Sequence, residues 1–190
     1  TLLCYQAAHS QSTCFTPFDD FHTYYGPYSA SGIAAADMNN DGKRDVLISM
    51  GEILLLTGNN DVTFNAPVTY TANGLSGGKL QIGDFNSDNK PDLISFENPP
   101  SGTKSISIYT NTNFTGLAQV LTIATNIEAG NAQSPGRIRV ADLDGDNLRD
   151  VVVNDYNGNK LVVYKNDGNN NLTLIDSLPT CTKPLNFVLG

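Results

Sequence analysis

This sequence has no tryptophan, two histidines, three cysteines and only 11 lysines and arginines against 19 acids. Each shortage excludes something. The cations are scattered and the formal net charge is -8, which argues against nucleic acid as a partner, because phosphate binding needs clustered Lys and Arg. His9 and His22 lie in the least regular part of the chain with no motif around them. No phosphate loop or His-x-x-x-His occurs, so catalysis within this segment is not expected. No apolar run approaches the length of a membrane span and no signal-peptide pattern opens the chain. Because Thr1 is not a methionine, a processed protein or an excised piece is expected. With 39% hydrophobic and 16% charged residues, and much Asn, Thr, Ser and Gly, the composition is that of a globular, β-rich protein rather than a disordered one.

Cys4, Cys14 and Cys181 are an odd number, so one thiol is free or pairs elsewhere. A disulfide between Cys4 and Cys14 across an N-terminal hairpin is the first expectation. The rival joins Cys181 to either of them and staples the two chain ends. Asn113-Phe-Thr115 and Asn171-Leu-Thr173 are acceptor sites for N-glycosylation. Together these features favour an extracellular protein, secreted or at the cell surface.

What the chain does have is a repeat. "IAAADMNNDGKRDVLIS" (33–49), "LQIGDFNSDNKPDLISF" (80–96) and "IRVADLDGDNLRDVVVN" (138–154) share one pattern. Small and apolar residues enter an acidic loop, and a run of Val, Leu and Ile leaves it. The first aspartates, Asp37, Asp84 and Asp142, are spaced by 47 and 58 residues. A period near fifty signals a repeat architecture. Between the loops, "EILLLTGNNDVTFNAPVTYT" (52–71), "SISIYTNTNFTGLAQVLTIA" (105–124) and "KLVVYKNDGNNNLTLIDSL" (160–178) each read as strand, polar turn and strand. Each unit therefore supplies four strands. Strand A enters the acidic loop, B leaves it, and C and D form a hairpin. No segment sustains helical periodicity.

Four strands per repeat at this period predict an all-β fold, a β-propeller of four-stranded antiparallel blades. Blades are expected over 33–71, 80–124 and 138–178. Residues 1–32 fit strands C and D of a partial blade plus a linker, and 184–190 fit the first strand of a further blade. The chain is then a segment of a larger propeller, which is the favoured reading, or a small ring closed by its C-terminal strand. An incomplete blade leaves strand edges open to pairing with a second copy.

The acidic loops have the donors that a hard cation wants. Ca²⁺ takes six to eight oxygens, and a tight loop can offer carboxylates or amides at positions 1, 3, 5 and 9 and a backbone carbonyl at position 7. Those positions are Asp37, Asn39, Asp41, Asp45 and the Lys43 carbonyl in the first loop. They are Asp84, Asn86, Asp88, Asp92 and the Lys90 carbonyl in the second, and Asp142, Asp144, Asp146, Asp150 and the Leu148 carbonyl in the third. Position 6 is Gly42, Asn89 or Asn147, residue types that tolerate the left-handed backbone of a sharp turn. Position 12 is Ile48, Ser95 or Val153 rather than the bidentate Glu of an EF-hand. Three calcium ions would move the formal charge from -8 to -2. The competing reading is a solvated turn held by Asx hydrogen bonds. Mg²⁺ prefers to keep its waters, and an all-oxygen donor set does not suit soft metals.

These stretches resemble the FG-GAP/VCBS repeats of integrin α-subunit propellers and many secreted proteins, with the looser VCBS type the better match. The resemblance implies calcium-binding A–B loops with structural Ca²⁺, about three ions per chain. It also implies a non-enzymatic module for adhesion or ligand recognition, with a protein or glycan as partner. A sugar-binding propeller is the first alternative, with Tyr24, Tyr25 and Tyr28 as candidate stacking residues. A propeller attached to a polysaccharide-degrading enzyme is the second.

Overall fold

The computed structural model describes residues 32–49, 52–61, 63–70, 79–97, 104–112, 116–125, 127, 137–184, 187 and 189. These residues form twelve strands and no helix. The first sheet holds β1 (Gly32–Ala36), β2 (Asp45–Ser49), β3 (Ile53–Leu56) and β4 (Val68–Tyr70). The second holds β5 (Lys79–Gly83), β6 (Asp92–Glu97), β7 (Lys104–Asn111) and β8 (Leu117–Thr125). The third holds β9 (Ile138–Ala141), β10 (Asp150–Asp155), β11 (Lys160–Asn166) and β12 (Leu172–Pro179). In each sheet the strands lie in chain order and every pair is antiparallel, the A–B–C–D meander that the repeats predict.

The sheets stand as a row of blades. The three A strands neighbour one another, β1 beside β5 and β5 beside β9. Successive sheets bury their apolar residues face to face. Leu47, Ile53 and Leu55 of the first pack on Leu80, Leu93 and Tyr109 of the second. Ile94, Phe96, Ile106 and Ile108 on the other face of the second pack on Ile138, Val151, Val153 and Tyr164 of the third. The middle blade is covered on both faces, so β6 and β7 bury successive residues, with Ser95, Ser105 and Ser107 closed off beside Leu93, Ile94, Phe96, Ile106 and Ile108. The D strands are outermost. β12 exposes Leu174, Ile175 and Leu178. Its register with β11 shifts between Val163 and Tyr164, and the β7–β8 pair shifts at the matching place, between Ile108 and Tyr109. A bulge at the same point in two blades leaves Val120 and Ile175 without a Cα partner, and both are exposed.

A polar contact joins the first blade to the second. Buried Asn111, at the end of β7, donates its Nδ2 to the Met38 carbonyl of the first loop at 2.7 Å and to the Pro91 carbonyl at 3.3 Å. In the third blade, buried Asn154 of β10 donates Nδ2 to the Pro184 carbonyl at 2.7 Å.

The expected N-terminal hairpin with Cys4 and Cys14, His9 and His22, Tyr24, Tyr25 and Tyr28, and Asn113 lie outside the described residues, as does most of the expected strand at 184–190. Cys181 is exposed with a free thiol, and the cysteines expected to pair with it, Cys4 and Cys14, are among the residues outside that set. Asn171 is exposed in the turn before β12.

Asn111→Ala removes a buried donor and leaves the Met38 carbonyl unpaired at a blade junction. The expected loss is about 1–3 kcal/mol of unfolding free energy. It would be read as a lower urea midpoint at unchanged slope, and an unchanged midpoint would show that the junction does not need this bond.

Candidate metal centres

Each acidic loop folds by one rule. The position-1 aspartate turns back over the loop and accepts the position-6 N–H. The bonds are Gly42 N to Asp37 Oδ2 (2.8 Å), Asn89 N to Asp84 Oδ2 (2.8 Å) and Asn147 N to Asp142 Oδ2 (2.9 Å). Position 3 accepts the N–H of position 5, at Asn39 (3.1 Å), Asn86 (3.1 Å) and Asp144 (3.3 Å). Position 5 accepts the N–H of position 7, with Asp41, Asp88 and Asp146 each bonded at 2.9 Å to Lys43, Lys90 and Leu148. This ladder of Asx turns needs left-handed backbone at two places. Position 6 has φ of +82° at Gly42, +61° at Asn89 and +68° at Asn147, as the residue types predict. Position 4 is left-handed too, at Asn40, Ser87 and Gly145, and the sequence reading missed it because Ser87 breaks the Asn/Gly pattern.

Position 9 does something different from the rest. Asp45, Asp92 and Asp150 open the B strands and are at most 1% exposed. One oxygen of each accepts the position-2 N–H, from Met38 (2.8 Å), Phe85 (3.1 Å) and Leu143 (3.1 Å). The other accepts an N–H at the end of strand C, from Gly58 (2.8 Å), Asn111 (2.9 Å) and Asn166 (3.0 Å). The carboxylate therefore joins loop, B strand and C strand. Gly58 stands where the other blades have asparagine because a Cβ there would collide with the Arg44 carbonyl.

Among the described residues, two trios of carboxylates gather within 4.8 Å of one another, Asp84 with Asp88 and Asp92, and Asp142 with Asp144 and Asp146. The first loop, with Asp37, Asp41 and Asp45, forms no such trio among them. The donors are all oxygen, which fits a hard divalent cation, and Lys43, Lys90 and Leu148 stand at the position that would offer a backbone carbonyl. Each loop also meets an ammonium of the chain itself. Lys43 reaches Asp41 at 3.4 Å and Lys90 reaches Asp88 at 3.1 Å. In the third loop Lys165 of β11 bonds Asp144 and lies 3.0 Å from Asp146, and these two carboxylates raise its pKa.

The charges act on the acids unequally. Backbone N–H groups of Lys43 and Leu148 chiefly hold Asp41 and Asp146 below the ordinary carboxylate value. Burial pushes the Asp92 carboxyl up to about 6, with Asp88 and Asp84 adding to it and the N–H groups of Asn111 and Phe85 opposing.

Three four-stranded antiparallel sheets, with A strands side by side and an acidic loop between A and B, define a propeller-like repeat module. Residues 84–153, from the first aspartate of the second loop into β10, match the family model of the FG-GAP-like repeat. That stretch therefore carries the FG-GAP-like repeat, in agreement with the resemblance read from the sequence. No curated protein matches the chain.

A carboxyl whose folded pKa is raised above 3.8 holds its proton more tightly in the folded state. Its contribution to stability is full below pH 3.8 and is lost as the pH rises through about 6. Metal-free protein is thus expected to lose melting temperature between about pH 4 and 6, and Asp92→Asn to flatten that slope. A metal-free profile that is flat or rising there would contradict the placement of Asp92.

Proposed function

We propose that the chain is a calcium-binding segment of a β-propeller that serves outside the cell as a non-enzymatic module for adhesion or ligand recognition, with calcium in a structural role. The observation that carries the reading is the carboxylate trio of Asp84, Asp88 and Asp92, set in an all-oxygen loop whose backbone is already wound around the gap. Bound there, a calcium ion supplies positive charge to acids that otherwise repel one another. The chain's residues do the rest. Position 1 closes the loop, positions 3 and 5 present carboxylate or amide oxygens, and position 9 ties the loop to strands B and C. Extracellular calcium is abundant enough for sites of modest affinity to fill. The exposed sequon at Asn171 fits the same setting. No helix of the described residues is long and apolar enough to cross a membrane. The partner on this reading is a protein or glycan held by the assembled blades.

The test is calorimetric titration of calcium into chelator-stripped protein, with melting followed in parallel. One ion per loop is expected, and at about a hundredfold excess over Kd each independent site adds about 2.7 kcal/mol of stability. Lys165→Gln removes the ammonium that a cation in the third loop must displace, so that site should tighten several-fold while the second loop is unchanged. Absence of calcium binding would leave the loops as Asx turns and remove the calcium from the proposal.

A further inference from the structure

A second concave site lies away from the acidic loops, beside the N-terminal ends of the A strands, and its electrostatics are opposite to those of the molecule. It is a cavity of about 490 Å³ whose lining includes Lys79, Arg137 and Arg139 together with Gln81, Leu80 and Ile48. Three of the chain's 11 cations line it, and none of its lining residues among the described ones is acidic. The two strands that supply the cations, β5 and β9, are neighbours.

The cations are held in place by the fold. Buried Asn154 grips the Arg137 backbone from both sides, its Oδ1 accepting the Arg137 N–H and its own N–H donating to the Arg137 carbonyl at 3.1 Å. Arg139 donates from Nη1 to the Ile138 carbonyl at 2.9 Å, and its guanidinium lies over the Phe187 ring, 6.0 Å from the centroid. The Arg137 Nε is buried and has no hydrogen-bond partner. Burial and the adjacent Arg137 charge also hold the Lys79 ammonium below its usual pKa, as expected where cations are brought together.

We propose that this cavity binds a small oxyanion, a carboxylate or sulfate group, through Arg137, Arg139 and Lys79. Guanidinium forks match such groups with paired charge-assisted hydrogen bonds. The volume falls in the range of small-molecule sites, so it has room for an acidic monosaccharide as well as a free inorganic anion. The site is independent of the calcium loops and does not rest on them.

The test is calorimetry of sodium sulfate, and separately of sodium glucuronate, into the full chain at constant calcium and ionic strength, with chloride as the reference anion. Saturable binding with one site per chain is expected for at least one probe. Sulfate alone would identify a free tetrahedral anion as the ligand, and tighter glucuronate a sugar acid. Arg137→Gln and Lys79→Gln should each weaken binding by about tenfold or more, the loss that one charge-assisted hydrogen bond implies. Two variants guard against a folding defect in either, and each is checked by its melting curve. Heats no different from chloride for both probes would overturn the proposal, as a carboxylate of the chain filling the cavity would produce. Binding kept at full strength in both variants would overturn it too.

Discussion

The structure turns on one buried carboxylate in each blade. Asp45, Asp92 and Asp150 are closed off from solvent, yet each has a backbone N–H at both oxygens. An isolated buried charge would be prohibitive, and two backbone donors make it tolerable. One donor comes from the second residue of the acidic loop and the other from the end of strand C. The same side chain thereby fixes where strand B starts, how the loop leaves strand A, and where the C–D turn begins. In the second blade the joint extends further, because Asn111, whose N–H meets Asp92, also reaches back to the Met38 carbonyl of the first blade.

That joint sets the terms for the rest of the loop. Position 1 uses both oxygens, and positions 3 and 5 one each, on backbone N–H groups further along the chain, which winds the loop before any ion is considered. Asx turns and cation binding are therefore not rival descriptions of these residues. The turns take some of the oxygens and gather others. What remains is repulsion among the gathered acids, and the fold answers it with lysine. Lys43 and Lys90 do so from inside their own loops, while Lys165 does so across from β11. The second and third blades draw their carboxylates into tight trios and the first does not, so three loops of near-identical sequence differ in how prepared they are for a cation.

Much of this was legible in the sequence, and the reason is repetition. Three copies of one spacing exposed the four-strand unit, and β-branched runs between Gly, Asn and Asp turns gave strand type. The left-handed turn at position 6 followed from Gly42, Asn89 and Asn147. Features made by tertiary contact were not legible. Position 9 matched the other loop acids by residue type, and only burial at the head of strand B separates its role from theirs. Lys165 lies 21 residues from Asp144, and no local pattern links them. The cations of the cavity are scattered along the chain, at Lys79, Arg137 and Arg139, and a count of composition rightly found them dispersed. They meet because the A strands are adjacent, which a repeat pattern implies but does not point to.

The most direct test of the buried joint is native-state hydrogen exchange, followed by NMR, of the amides of Met38, Phe85, Leu143, Gly58, Asn111 and Asn166 in calcium-free protein. If the carboxylates hold the blades together by themselves, these six amides exchange only through global unfolding, as slowly as the central strands. Exchange as fast as that of Lys43, Lys90 and Leu148, slowed only when calcium is added, would show that the metal and not the buried aspartate makes the joint.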